Sequence, residues 1–265
     1  MLAITDKEFA QFQRFIYESA GITLSAGKKA LVSGRLARRL EQCQAASYGD
    51  YFKLLAGGSA PQEVQIAIDL LTTNETYFFR EPRHFDFLRA QVAKHPVSQP
   101  LRIWSAAGST GEEAYSIAMV LEDIRSGHPW EVVASDISTR VLQRARAGHY
   151  PMERARNVPA DYLRRFCLKG EGPQAGTLLV ERSLREKVRF LQVNLNATLP
   201  TLGTFDIVFL RNVLIYFNVE TKQRVVARVL STLKPGGWLF IGHSESLNGI
   251  DEAVEMVAPA IYRKA

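Results

Sequence analysis

Cysteine is almost missing from this chain of 265 residues: there are 2, Cys43 and Cys167. Their separation matches no metal-binding or redox pattern. Long apolar runs are missing too, since none reaches the ~20 residues needed to cross a bilayer. The opening segment MLAITDKEFAQF carries acids early and lacks the apolar core of a signal peptide. These absences predict a cytoplasmic protein without membrane insertion, a compartment in which a disulfide is not expected. Repeats and low-complexity tracts are absent as well. What remains is ordinary globular composition, 46% hydrophobic and 23% charged. The length suits one large domain, or a small domain followed by a medium one.

Charge is unevenly placed. The formal net charge is +6, and the excess is local. One basic cluster holds Arg140, Arg144, Arg146, Arg154, Arg156, Arg164, Arg165 and Lys169; another holds Lys28, Lys29, Arg35, Arg38 and Arg39. Each is compatible with a solvated helix face, or with an acidic or anionic partner.

Residues 5 to 70 read as four helices. Phe9, Phe12, Phe15 and Ile16 fall on one face of the first, which Thr5 and Glu8 open as a capping box and Gly21 closes. Val32, Leu36 and Leu40 line the second, with Lys28, Arg35 and Arg39 on a different face. SYGDYFKLLAGG and PQEVQIAIDLLTTN are the third and fourth. After Pro100 the texture changes. LRIWSAA, WEVVASD, KVRFLQVN, FDIVFLRN and WLFIGHSES read as strands, with helices between them that include ISTRVLQRARAG and VETKQRVVARVLSTLKPGG, the latter with a glycine stop. Such alternation predicts a doubly wound, mostly parallel sheet. YLRRFCLKGEGPQAGTLLVERSL breaks the pattern with two strand-like runs around a Gly/Pro loop, an antiparallel hairpin inserted at about 162–186.

Several motifs carry chemistry. IWSAAGSTGEEAYSIAM is strand, small-residue turn and helix, where a ligand can approach backbone. Ala106 replaces the first glycine of a dinucleotide fingerprint. Glu112 or Glu113 at the helix start would repel a pyrophosphate but suit a ligand bearing an ammonium and a sulfonium; the alternative is a simple dipole effect. Asp136 ends VVASD, the place of an acid that accepts ribose hydroxyls, or of a helix N-cap. The late LKPGG turn favours S-adenosylmethionine over a nicotinamide cofactor. An N/D-P-P-Y/F tetrad and a Pro-Cys nucleophile are both absent, so the acceptor is best one already ionised at neutral pH, such as a glutamate carboxylate with its pKa near 4.3.

The sequence resembles the CheR family of chemotaxis receptor methyltransferases nearly end to end. The resemblance is carried by TxNETxFFR at 72–80, WSAAxSTGEExYSIA at 104–118, ASDI at 134–137 and NL at 194–195, followed by RNVLIYF at 211–217 and LxxGGxLFIGHSES at 233–246. It implies an S-adenosylmethionine-dependent methyltransferase fold of the doubly wound α/β class with an inserted small antiparallel β-subdomain, preceded by a small all-α domain. The expected organisation is a receptor-docking helical domain at 1–72, a linker at 73–90 that forms part of the active site, and the methyltransferase domain at 91–265. The reaction implied is methyl transfer from S-adenosylmethionine to the γ-carboxylate of specific glutamates on chemoreceptor cytoplasmic helices, leaving S-adenosylhomocysteine.

The resemblance also implies residue roles. Asn74, Thr76 and Arg80 would contact the cofactor from the linker, with Arg80 nearest the methyl group. Glu112, or alternatively Glu113, would reach the methionyl end, and Asp136 the ribose. Asn194 and Leu195 would flank the adenine, with Arg211 and Asn212 in the same pocket. Arg80 and Tyr216 are the expected catalytic residues, although Tyr216 could equally be packing. His84, four residues after Arg80 in what reads as the same helix, is assigned to structure, as are His243 and Ser244. No metal is expected. The basic second helix would dock glutamate-rich receptor helices, and the inserted hairpin would take a receptor's C-terminal pentapeptide by strand addition. The protein is expected to be a monomer without a nucleic-acid partner. Two other readings remain, an RNA methyltransferase using the same basic clusters and a cofactor-binding regulatory module without catalysis.

Overall fold

Four helices share the first hydrophobic core: α1 (Asp6–Ala20), α2 (Lys29–Gln42), α3 (Tyr48–Ala56) and α4 (Pro61–Leu71). In α1 the Thr5 hydroxyl accepts the Glu8 N–H, while the Glu8 carboxylate accepts the Thr5 N–H at 2.8 Å, the expected capping box. Gly21 closes it at φ +74°. Phe9, Phe12 and Ile16 pack with Val32, Leu36 and Leu40. The computed structural model describes residues 3–251 and 253–265. Met1 and Leu2, at the start of the expected helical domain, and Glu252 lie outside the described residues.

The cationic face of α2 is partly engaged inside the chain. Arg35 donates to the carbonyls of Leu71 (2.9 Å) and Thr72 (3.0 Å), Arg39 pairs with Glu63, and Lys29 pairs with Asp6 at 2.7 Å. Lys28 and Arg38 stay exposed.

After α4 the chain runs extended to a turn at Phe78–Phe79. Both of these rings are buried in the α/β core, whereas Tyr77 is 43% exposed, so two of the three aromatics anchor this segment. Helix α5 (Pro82–Lys94) opens at Pro82. Arg80 therefore precedes the helix and does not share it with His84. The ring of Pro82 disfavours helical geometry at Glu81, which sits at φ +60°.

The α/β part continues with β1 (Leu101–Ser105), α6 (Glu112–Arg125), β2 (Trp130–Asp136), α7 (Thr139–Ala147), β3 (His149–Pro151), α8 (Ala160–Phe166), β4 (Cys167–Lys169), β5 (Thr177–Val180) and α9 (Arg182–Arg185). It ends with β6 (Val188–Gln192), β7 (Phe205–Leu210), α10 (Val219–Thr232), β8 (Leu233–Ile241), β9 (Val254–Ala258) and β10 (Ile261–Lys264). Seven strands form the main sheet in the order β6-β2-β1-β7-β8-β10-β9. The first five are parallel, β10 runs antiparallel to β8, and β9 runs antiparallel to β10. Alternation along the strands feeds two cores: Ile103, Val132 and Phe209 join the side covered by α5 and α6, while Trp104, Val133 and Val208 join the α10 side.

The inserted subdomain starts earlier than the sequence suggests. Its three strands run β3-β5-β4, and β3, only three residues long and ending in proline, precedes the predicted hairpin. The helix read as ending at a glycine stop ends instead at Thr232. Leu233 already pairs with Phe205, and residues 234–237 bulge before Trp238 meets Ile207. The bulge is the sheet position that tolerates Pro235. Strand β9 carries no signal strong enough to be read from sequence.

Candidate active site

The parallel strands reverse their order about β1 and β7, and a cavity opens at their carboxyl ends, the expected crevice of such a sheet. Residues of the linker, the turns after β1 and β2 and the segments after β6 and β7 line it, and so do Ala20 and Ile22 at the end of α1. Of the predicted site residues, Asn74, Thr76, Arg80, Asp136, Asn194, Leu195, Arg211, Asn212 and Tyr216 all line this one cavity. Glu112 does not. It is fully buried beside the cavity, with one oxygen taking the Thr110 hydroxyl at 2.6 Å and the other paired with Arg154 at 2.8 Å. Of the two neighbouring glutamates, Glu113 is the one that lines the cavity.

Two acids mark different regions. Asp136, at the tip of β2, accepts the backbone N–H of Ser109 at 3.0 Å and of Ser138 at 2.9 Å. Burial pushes its carboxyl up to about 6, against the pull of those N–H groups. Glu113 accepts the Ser105 hydroxyl at 2.7 Å and faces Arg211 at 2.9 Å. Burial raises its pKa as well, with Arg211 opposing. The lining also has an apolar part, with Ile137, Val193 and Leu195. Asn194 donates its side chain to the Ser19 carbonyl at 2.7 Å, which ties the segment after β6 to α1.

The arginines differ in freedom. Arg211 is fixed: its guanidinium reaches the Arg80 carbonyl, Glu81 at 3.0 Å and Glu113. Arg80 donates to the Glu75 carbonyl at 2.9 Å and lies 5.9 Å from the Tyr77 ring centroid, leaving further N–H donors for a ligand. Tyr216 stands opposite in a short turn at Leu214–Tyr216. Burial raises its phenol pKa, against the pull of Arg80, so it stays a neutral O–H donor at ordinary pH. His84 is 1% exposed, and burial brings it down to about 4 with Arg211 adding to the effect. Among the described residues no histidine or cysteine lines the cavity.

Phe79, Glu81, Ser109 and Asn212 adopt positive φ of 54°, 60°, 49° and 58°. Such geometry costs roughly 1–3 kcal/mol at each site and persists only where neighbours enforce it. Here the Phe79 N–H donates to the Ser116 hydroxyl at 2.9 Å and the Asn212 N–H to the Glu245 carboxylate at 2.9 Å. Of these four, Ser109 and Asn212 line the cavity, and Phe79 and Glu81 flank Arg80, which also lines it.

Sequence reasoning missed the wall from α1. Ala20 and Ile22 reach the cavity only because α1 packs against the catalytic part, with Ile22 bridging Phe217 and the Thr23 N–H donating to the Tyr216 carbonyl at 2.8 Å. No local pattern encodes that contact. Ser109, also not singled out, was within reach, since it sits in the quoted turn, whereas Glu113 is the alternative already named for Glu112.

A carboxylate at the tip of β2, another in the first turn of α6, an apolar stretch and an arginine already neutralised by acids suit a ribose diol and a cationic amino-acid end rather than a pyrophosphate. Over residues 74–262 the chain matches the CheR methyltransferase, SAM binding domain, and over residues 7–72 the CheR methyltransferase, all-alpha domain. It is similar to Chemotaxis protein methyltransferase 2 of Pseudomonas aeruginosa, with 42% identity over 268 residues covering 98% of this chain and 94% of the relative. Similarity to Chemotaxis protein methyltransferase of Escherichia coli is 41% over 264 residues, covering 98% and 92%. The fold, the acidic cavity and both domain matches agree: this chain belongs to the CheR methyltransferase family, and its α/β part is the S-adenosylmethionine-binding domain.

Proposed function

We propose that the protein methylates the γ-carboxylate of specific glutamates on the cytoplasmic helices of chemoreceptors, forming glutamate methyl esters. The observation that supports this acceptor most directly is the lining itself: Arg80 and Tyr216 offer donors, and among the described residues no histidine or cysteine lines the cavity to act as base or nucleophile. A glutamate carboxylate is ionised at neutral pH and needs no base.

S-adenosylmethionine, when bound, supplies a methyl group activated on a sulfonium. On this reading Asp136 takes the ribose hydroxyls, Glu113 in place of Glu112 faces the methionyl ammonium, and Ile137 and Leu195 flank the adenine. Asn74, Thr76 and Asn212 complete the wall, and Asn194 contributes through its position because its side chain is held by Ser19. Arg80 and Tyr216 orient the acceptor carboxylate for in-line attack. Alignment and the exclusion of water from two opposite charges that neutralise each other supply the acceleration.

The helical part, with the boundary near 72, would dock the receptor through Lys28 and Arg38, the two cations of that cluster left exposed. The edge strand β4, with Leu168 51% exposed, offers a place for a receptor's C-terminal pentapeptide to add as a strand. Calorimetric titration of such a pentapeptide tests that tether, and the absence of a binding isotherm removes it.

The decisive assay is transfer of a labelled methyl group from S-adenosylmethionine to a panel of receptor cytoplasmic fragments. The expected product is an alkali-labile ester mapped by mass spectrometry to glutamate. Label that survives alkali on another residue type, or on RNA, overturns the proposal.

A further inference from the structure

Glu112 is buried beside the cavity without lining it, and its partner Arg154 comes from the inserted subdomain, in the turn Met152–Ala155 that follows β3. One guanidinium nitrogen of Arg154 donates to both Glu112 Oε1 and the Thr76 carbonyl, each at 2.8 Å. The Arg154 carbonyl accepts the Phe78 N–H at 3.4 Å. Arg154 thus grips the linker on both sides of Tyr77, and the nearer contact, at Phe78, is two residues before Arg80. The preceding strand adds to the grip. Tyr150 packs edge-on against Phe78, with ring centroids 5.0 Å apart, and donates its hydroxyl to the Thr110 carbonyl at 2.7 Å.

We infer that Arg154, anchored by Glu112, is a positioning residue for methyl transfer, and that through it the inserted subdomain holds the linker segment bearing Thr76 and Arg80 in register with the cavity. The inference rests on the reading of Arg80 as the group that orients the acceptor. A flexible linker could hardly hold a guanidinium within the fraction of an ångström that in-line transfer requires. Other bonds hold its two ends: Arg35 donates to the Thr73 hydroxyl and Ser109 to the Asn74 carbonyl, while Phe79 donates to Ser116 and Arg211 to the Arg80 carbonyl, and between those ends Thr76 and Phe78 are held by Arg154. Glu112 fixes the guanidinium because it is fully enclosed and Thr110 holds its second oxygen. The subdomain is therefore part of the catalytic apparatus, whatever else it docks.

Three variants of the full chain test this. Arg154→Gln removes the grip but leaves the buried Glu112 charge uncompensated, and it could fail to fold for that reason alone. Glu112→Gln/Arg154→Met removes both charges together, and exchanging a buried pair for neutral groups is commonly tolerated. With the double variant, hydrogen exchange of the amides of residues 76–80, measured with S-adenosylhomocysteine present, should accelerate selectively. In the methylation assay kcat should fall roughly 10²-fold, with KM for the receptor fragment changed far less. Arg154→Lys, which keeps a cationic donor, should recover part of kcat. Unchanged linker exchange, or wild-type kcat in the folded double variant, overturns the inference. The exchange measurement needs no acceptor, so it judges the grip even if the proposed acceptor is wrong.

Discussion

Glu113 and Arg211 face each other at 2.9 Å in the cavity lining, the acid carried by the first turn of α6 and the arginine by the end of β7, which pairs with β1. The Ser105 hydroxyl holds the other Glu113 oxygen. On the proposed reading the pair places a carboxylate at the cationic amino-acid end of the cofactor, while Glu112, its neighbour in sequence, turns toward Arg154.

Substitution should separate these two acids. Glu113→Gln should weaken binding of S-adenosylhomocysteine by about 1.5–3 kcal/mol, the scale of a hydrogen bond to a charged group. Glu112→Gln, which acts on the cavity only through Arg154 and Thr76, should weaken it far less. Calorimetry on both variants decides, and the reverse ranking would return Glu112 to the cofactor.

Arg80→Ala should lose far more turnover than cofactor affinity, with kcat down about 10²-fold or more. Cofactor titration beside the methylation assay checks it; equal losses in both would mean that Arg80 serves the cofactor alone.

Cofactor affinity should fall as pH drops through about 6, where Asp136 takes up a proton and ceases to be a charged acceptor. The linkage to stability has the opposite sign. Because burial raises the folded pKa above the unfolded one, Asp136 contributes stability below the ordinary carboxylate range that is lost as pH rises through about 6. Ligand-free stability and cofactor affinity should therefore run in opposite directions across this window, and Asp136→Asn should flatten both. Parallel melting and binding measurements against pH provide the check.

Gly21→Ala should destabilise the protein by about 1–3 kcal/mol. Its backbone sits at φ +74°, and an added Cβ would lie 2.8 Å from the Thr221 methyl and 3.0 Å from Asn196. Thermal melts measure the loss. A preserved melting temperature would mean that α10 and the Asn196 segment yield more easily than their burial suggests.

Much of this architecture was legible because its signals are local. Thr5 and Glu8 announce a helix start through a spacing of three, and Asp136 declares itself by ending a β-run ahead of a helix. The choice between Glu112 and Glu113 was not legible. Consecutive helical residues point about 100° apart, and the phase of a first turn depends on packing that sequence does not display. Strand β3 was hidden because three residues ending in proline show no alternation; β5 creates it by pairing. Ala20 and Ile22 were hidden for a longer-range reason, since only the docking of α1 on the catalytic part makes them cavity wall.

That docking bears on how such proteins can be recombined. With Ala20 and Ile22 in the wall, and Ser19 holding Asn194, the helical segment is no detachable address label. A hybrid that grafts another protein's helices onto residues 73–265 would inherit a foreign surface inside its cofactor cavity. Retargeting by exchange of the front segment would therefore succeed only if the end of α1 and the Ile22–Thr23 bridge were kept with the catalytic part.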